Sequence, residues 1–306
     1  MVTAGLRRQI AAVTRRGIRP TRAYRVFQVI NVVVLAAIVF LTLYPIVNII
    51  ARSFSSETFI VTGQVNLVPR GFNLTTYKIV ISDPIFWINY RNTVVYTVVA
   101  TAISMVLTTC YAYVLSKKNL WGRSVLVWIA VFTLFFTGGL IPNYVLITSL
   151  GMVDTIWAIV VPNSISVFNL LVMKSFFENM PPELEEAAMV DGVDTYRILL
   201  RIVLPLSKAV LATMTLFYAV SFWNSWFTAF LYLDRSELFP VTIYLRNLIA
   251  GATGATNAGA ATSDLTQAAA NIQSVTIVLI CLPIVLVYPF IQRYFVTGVT
   301  LGSVKG

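Results

Sequence analysis

Six long apolar segments dominate the hydrophobic pattern of this 306-residue chain. Each has roughly the 20 mostly apolar residues that cross a bilayer as a helix, and none contains Asp, Glu, Lys or Arg. The segments are Val26–Ala51, Asn92–Ser116, Val125–Leu150, Thr155–Met173, Ala209–Leu233 and Ser274–Ile291. The pattern predicts an all-α polytopic membrane protein with six transmembrane helices.

Composition supports this class and excludes others. Only 11% of the residues are charged and 58% are hydrophobic, whereas an ordinary soluble domain is about 25% charged. The chain has no histidine, which excludes a histidine proton relay, catalytic base or metal ligand. Cys110 and Cys281 lie within apolar runs without metal-ligand spacing, so we expect no disulfide framework and no metal site. An ordinary cytosolic enzyme is excluded.

The distribution of basic residues predicts the orientation. The net charge is +10, which we interpret as topology-setting loop charge rather than as a nucleic-acid site. Of the 22 basic residues, 16 fall on the side that carries both termini and six on the other. Both termini are therefore expected in the cytoplasm. The predicted domains are an Arg-rich cytoplasmic N-terminus at 1–25, beside membrane lipid, a six-span membrane domain at 26–296 and a cytoplasmic tail at 297–306. The first apolar run is too long for a signal peptide and is expected to remain as an uncleaved span.

The chain lacks the means to drive transport by itself. It contains no G-x-x-x-x-G-K-[ST] phosphate-binding loop and no hydrolase or zinc-protease motif. Ion-coupled carriers usually keep ionisable residues at membrane depth, and the six segments have none. If the protein moves solute uphill, its energy must come from a partner.

The loop at about 179–208 carries the most informative residues. Pro182 suits the first turn of a helix, and three glutamates follow it where the helix dipole favours them. Gly192 suits a left-handed C-terminal cap, so a helix of about ten residues is predicted. Ala187 and Ala188 would leave a smooth patch on it. A second short helix is expected to run to about Leu204, where Pro205 ends it. A solvated connector and a docking helix both fit this pattern, and the acidic first turn favours a protein partner over an anionic membrane.

The same residues resemble a known signature. Glu186-Ala187-Ala188, then Gly192, Ile202 and Leu204-Pro205, resemble the EAA loop of ABC importer permeases without a gap. Asp191-Gly192, Trp223-Asn224 and the closing Gly302–Gly306 are similar to the carbohydrate branch, the MalG-like permeases. The stretch Phe136–Asn143 is similar to the LplC/YtcP-type subgroup for oligo- or polysaccharides. The resemblance implies the type I ABC importer permease fold and the bacterial cytoplasmic (inner) membrane.

The resemblance also implies partners and a coupling site. The EAA helix would sit in a groove of a dimeric ATPase subunit, which binds ATP and Mg, so this chain would bind no cofactor and have no enzyme activity of its own. The other implied partners are a MalF-like second permease that forms a heterodimer with this chain, an extracytoplasmic solute-binding protein and a carbohydrate substrate. The implied coupling residues are Glu186, Ala187, Ala188, Asp191, Gly192, Ile202, Leu204 and Pro205.

Candidate substrate residues follow from what sugars require, which is aromatic platforms and neutral hydrogen-bonding groups. Helical spacing places Tyr218, Ser221 and Phe222 on one face of the fifth segment. The full set is Tyr218, Ser221, Phe222, Trp223, Asn224, Asn163 and Asn169. Helix-to-helix packing is the alternative role for such residues.

The outer stretch at 251–272 is rich in small residues and resembles a loop that in MalG-like chains reaches into the binding protein. Its candidate contacts are Gly251, Gly254, Asn257 and Gly259. A slack, flexible linker is the alternative.

Other functions stay open. The nearest is an ABC permease for a non-sugar solute. A membrane-embedded transferase would need acidic or metal-binding groups at the membrane face, and the one acidic cluster lies in the EAA-like loop. A passive channel would not need that loop.

Overall fold

The computed structural model describes residues 21–257, 271–287 and 289. Within them every regular element is helical. The helices are α1 (Arg22–Ser53), α2 (Glu57–Val61), α3 (Thr75–Ser82), α4 (Pro84–Ser116), α5 (Arg123–Phe135), α6 (Leu140–Ser149), α7 (Trp157–Val160), α8 (Val167–Glu178), α9 (Glu183–Val190), α10 (Thr195–Leu206), α11 (Lys208–Trp223), α12 (Phe227–Tyr232), α13 (Val241–Asn257) and α14 (Asn271–Val287). A short 3₁₀ turn, Ser236–Leu238, precedes α13.

Two of these helices, α1 and α4, are by themselves long and apolar enough to cross a membrane. The pairs α5–α6 and α10–α11 also pass that test, but they bend by 114° and 85°. If each bent pair is one span, the described residues hold four. The apolar helix α14 is shorter, and the predicted sixth span continues beyond the residues described around it.

The third predicted span is not one straight helix. It breaks between Phe135 and Leu140, where Gly139 has φ +86°. Glycine adopts this conformation without steric cost, unlike residues with a Cβ atom. Pro142 then lies in the first turn of α6, where its missing N–H leaves no helix bond unmade.

The fourth and fifth predicted spans are also broken. Residues 161–166, which include Pro162, separate α7 from α8. In the fifth, α11 ends at Trp223, and the Asn224 side-chain amide donates to the Val220 carbonyl at 2.8 Å. A polar side chain that bonds to its own backbone competes with the regular helix. The predicted spans Thr155–Met173 and Ala209–Leu233 are therefore each made of two helices.

Helix α4 is the central element and packs against both α8 and α11. The Thr108 and Tyr218 hydroxyls join α4 to α11 at 2.6 Å, and both side chains are buried. Between helices in a bilayer, close packing and such hydrogen bonds supply much of the association, since lipid is as apolar as the core.

The N-terminal half of α4 is fixed to the chain around the start of α13. The Asn92 amide donates to the Glu237 carbonyl at 2.7 Å, and the Tyr96 hydroxyl donates to the Leu238 carbonyl at 2.8 Å. The Val241 N–H donates to the Thr93 hydroxyl at 2.8 Å. Helix α4 itself begins at Pro84, eight residues before the predicted start of the second span, where the Asp83 carboxylate caps it by accepting the Ile85 N–H at 2.9 Å.

Asp154 joins the loop that precedes α7 to the loop that follows α12. It is the one described non-glycine residue with positive φ, at 58°. Its Oδ1 accepts the backbone N–H groups of Asp234 at 2.8 Å and of Arg235 at 3.2 Å. These hydrogen bonds, aided by the Arg235 charge, lower the pKa of the Asp154 carboxyl below its ordinary value.

Candidate functional site

The EAA-like loop holds a short, well-capped helix. Helix α9 has eight residues rather than about ten, with Pro182 at its N-cap. At its other end Gly192 has φ +76°, which confirms the predicted left-handed cap. The Val193 N–H donates to the Ala188 carbonyl and the Gly192 N–H to the Met189 carbonyl, both at 3.0 Å. These two bonds form a Schellman motif, which ends the helix sharply.

The exposed surface of α9 differs from the predicted one. Glu186, Ala187 and Asp191 are exposed, but Ala188 is only 8% exposed and packs in the core between α4, α8 and α11. The prediction of a smooth patch made by both alanines was wrong, because one turn of α9 must face the bundle to hold the loop. Met189 and Val190 are exposed instead, by 56% and 88%.

The second half of the loop is one helical stretch that includes a proline. Helix α10 widens to a π turn at Leu199–Val203, with the Leu204 N–H bonded to the Leu199 carbonyl. Pro205 starts the next turn, where its missing N–H is tolerated. The helix therefore passes through Pro205, and the 85° bend follows Leu206. Ile202 and Leu204 are half-buried against the core.

Ion pairs that the sequence did not indicate hold this loop to the bundle. Lys117, which caps the C-terminus of α4, pairs with Glu185 of α9. Arg123 at the start of α5 pairs with Glu178 at the end of α8. In the sequence the basic members were interpreted only as topology-setting charge. Their partners lie 68 and 55 residues away, so no local pattern indicates the pairing.

A cavity of about 650 Å³ lies between α8, α11 and α14. It is lined by Pro162, Asn163, Ile165, Ser166, Phe168, Asn169, Leu216, Phe217, Tyr218, Val220, Ser221 and Ile284. Four of the candidate substrate residues thus line one space: Asn163, Asn169, Tyr218 and Ser221. Asn169 is only 4% exposed, and in the described part of the chain no hydrogen bond reaches its side-chain amide.

The other candidates of the fifth segment are arranged differently. Tyr218 lines the cavity, but its hydroxyl is engaged by Thr108 and by the Ser166 N–H at 2.9 Å. Phe222 and Trp223 are buried, and the Trp223 indole donates to the Ile280 carbonyl at 3.2 Å. Asn224 is exposed at the break between α11 and α12. The structure therefore does not gather all seven candidates at one surface.

The small-residue stretch at 251–272 is partly helical. Helix α13 continues through Gly251 and Gly254 to Asn257, so the expected flexible segment does not begin at Gly251. Gly259 and the rest of 258–270 lie outside the described residues, as do 1–20 and the predicted tail at 297–306.

Comparison with known proteins identifies the class. Residues 116–301 match the family described as "Binding-protein-dependent transport system inner membrane component". The chain belongs to this family of ABC importer permeases. Its match begins at the C-terminal end of α4 and includes the whole EAA loop, so the predicted all-α type I permease fold is confirmed.

Similar proteins confirm the resemblance to the subgroup. The chain is 40% identical to the protein LplC of Bacillus subtilis over 94% of this chain and 97% of that protein. It is also 40% identical to the polygalacturonan/rhamnogalacturonan transport system permease YtcP of Bacillus subtilis, over 86% and 92%. A chain of a bacterial ABC transporter that imports the acidic polysaccharide alginate superposes with a TM-score of 0.81. The two chains are 33% identical, and the match covers 90% of this protein and 98% of the alginate transporter chain.

Proposed function

We propose that this chain is a transmembrane subunit of an ATP-driven importer of oligo- or polysaccharide. The observation that carries the proposal is the EAA loop, where an exposed helix with a sharp cap lies between α8 and α11 and packs on the core. The relatives named for polygalacturonan, rhamnogalacturonan and alginate support a carbohydrate cargo over another solute.

Coupling would take place on the exposed side of α9. Its first turn carries Glu186 beside Ala187, and Met189 and Val190 expose apolar surface in an otherwise charged loop. Such a mixed surface suits a protein groove. The ATPase dimer would supply ATP and Mg, and its closure would displace α9. Ile202, Leu204 and Pro205 would shape the stretch that carries this movement toward α11.

The cavity between α8, α11 and α14 would form part of the sugar pathway, and its lining residues would form the wall of that pathway. The Asn169 amide lines it with no other hydrogen-bonding partner among the described residues, and Asn163 and Ser221 add neutral polar groups. Neutral donors and acceptors match sugar hydroxyls. The buried Phe222 and Trp223 would shape the bundle around this wall, while the exposed Asn224 would contact sugar at the break after α11.

The side chain of Arg246 supports an acidic sugar. The Arg246 guanidinium lies 3.9 Å from the Phe230 ring centroid and 5.6 Å from that of Trp226. No carboxylate of the described residues forms an ion pair with it. Stacking uses the face of a guanidinium and leaves its edge donors free for a carboxylate. Together with the relatives named for polygalacturonan and alginate, this arginine supports uronate-containing chains as the cargo.

The assembly would contain a second, MalF-like permease. In the most apolar 18-residue stretch of α1 no residue is buried within this chain, which leaves a long helix available for lipid and for that subunit. Both termini would face the cytoplasm, with the division into 1–25, 26–296 and 297–306 as predicted. The end of α13 at Gly251, Gly254 and Asn257, together with Gly259, would contact the solute-binding protein.

Reconstitution in proteoliposomes tests the proposal. The chain, a second permease, the ATPase and the binding protein from its genomic neighbourhood are combined, and uptake of labelled oligogalacturonate is compared with that of a neutral oligosaccharide. We expect ATP- and binding-protein-dependent uptake of the acidic sugar.

Two asparagine variants test whether the cavity binds the sugar. Asn169→Ala should raise the half-saturating sugar concentration about threefold to tenfold, the equivalent of one hydrogen bond. Asn179→Ala, on an exposed asparagine at the end of the same helix, should not. Transport of a non-sugar solute alone, or a transferase product without uptake, would contradict the proposal.

A further inference from the structure

An ion pair joins the Lys117 end of α4 to the coupling helix α9, in addition to the packing of Ala188 in the core. The Lys117 ammonium pairs with the Glu185 carboxylate, and the two side chains are 34% and 20% exposed. The same ammonium lies 4.0 Å above the Tyr113 ring centroid. Two partners from different elements therefore fix the position of Lys117, in contrast to a freely rotating surface lysine.

A second cluster ties the neighbouring helix ends together. Glu178 at the end of α8 pairs with Lys174 at 2.8 Å and with Arg123 of α5. Arg123 also donates through Nε to the Leu115 carbonyl in the last turn of α4, at 2.8 Å. The C-terminal ends of α4 and α8 and the start of α5 thus form one cluster of helix ends. Among the described residues, Lys117 is the only one that joins α9 to this cluster by an ion pair.

The remaining ion pair of the loop has a different character. Arg197 and Asp194 lie three residues apart and are 65% and 59% exposed. This pair connects no second element, and an exposed pair of this kind contributes little. It therefore provides a matched control on the same loop.

We propose that the Lys117–Glu185 pair is a positioning link that transmits displacement of α9 to the central helix α4. The inference rests on the proposed docking of the ATPase on α9. A carboxylate in the first turn of α9 cannot move away from Lys117 without separating two partly desolvated charges. Displacement of α9 therefore pulls on the inner end of α4, which packs along α8 and α11 at the cavity.

The test uses the assembled transporter in proteoliposomes. Sugar uptake per ATP hydrolysed and co-purification of the ATPase are measured for Glu185→Gln, Lys117→Met, the double variant, Lys117→Arg, and the control pair Asp194→Asn and Arg197→Gln. We expect each single variant of the link to lower uptake per ATP about tenfold, within the range of coupling between contacting residues. The double variant should be no worse than either single variant, and Lys117→Arg should remain near wild type.

The outcomes separate this inference from the proposed function. The link is refuted if the defects of the two single variants multiply in the double variant. It is also refuted if uptake per ATP falls no further than in the control pair. Loss of ATPase co-purification in Glu185→Gln would also overturn it, because Glu185 would then be a docking contact. Failure of the wild-type chain to bind any ATPase would instead refute the proposed function itself.

Discussion

The cap at Gly192 gives the sharpest quantitative prediction. Its φ of +76° belongs to the left-handed region, and a Cβ built there meets no atom within 4 Å. A substitution therefore strains the backbone but creates no clash. The cost for alanine is about 1–2 kcal/mol, the penalty of an L residue in this region. A β-branched valine should cost more, whereas asparagine visits the region readily.

This strain should open the Schellman motif rather than unfold the spans. The two cap bonds, from Val193 and from residue 192, are local. Hydrogen exchange at the Val193 amide should accelerate about tenfold in Gly192→Ala, because 1.4 kcal/mol corresponds to a factor of ten. Uptake per ATP should then decrease in the order Gly, Asn, Ala, Val, while membrane insertion stays unchanged.

Gly151 provides the control, because it also has positive φ, +67°, with open space around it, but lies in the loop after α6. Gly151→Ala should carry the same backbone strain and leave uptake per ATP unaltered. If Gly192→Val transported as well as Gly192→Asn, the argument from the cap would be refuted.

Four further predictions address the coupling loop, the C-terminal tail, the stretch at 258–270 and Asp154. Glu186→Lys should reduce ATPase co-purification, because it puts a cation at the positive end of α9; unchanged co-purification would contradict a docking role. Removing residues 302–306 should alter complex assembly or ATPase rate; if both stay unchanged, this segment is only a frayed end. Shortening 258–270 by about eight residues should lower uptake while the protein stays folded; if uptake stays unchanged, this segment is only a linker. The lowered pKa of Asp154 means that its carboxylate stabilises the folded protein above its unfolded pKa of about 3.9, and that this contribution is lost as pH falls through the lower folded value. Asp154→Asn, which tolerates the positive φ, should therefore flatten the acid side of the thermal-stability profile relative to wild type, and identical profiles would contradict the assignment.

The class of fold could be predicted because apolar length is a local property. Helix α1 and the inner part of α4 coincide with uninterrupted apolar runs, and the cap at Gly192 follows from one residue type at one position. The breaks at Gly139 and Asn224 could not be predicted in the same way. A bent segment is as apolar as a straight one, so hydrophobicity does not distinguish them.

The candidate site was only partly predictable for a related reason. Asn163, Asn169 and Ser221 line one cavity, but Trp223 turns inward to bond with the Ile280 carbonyl. Helical spacing gives the relative direction of side chains on one helix. It does not reveal which neighbour covers them, and the Lys117–Glu185 pair shows the same limit over a separation of 68 residues.

Helix α4 is long enough to contact the chain before α13, the cavity wall and the coupling helix α9. Its 33 residues extend about 50 Å at 1.5 Å per residue, well beyond the hydrocarbon thickness of about 30 Å. One continuous helix therefore meets the chain before α13 through Asn92, the cavity wall through Thr108 and Tyr218, and α9 through Lys117. Because its interior contains no proline, α4 has no built-in hinge between these contacts. On the proposed coupling, a displacement at the Lys117 end of α4 would shift the cavity contact as well, so that the ion pair with Glu185 and the hydrogen bond at Tyr218 would act as one mechanical unit.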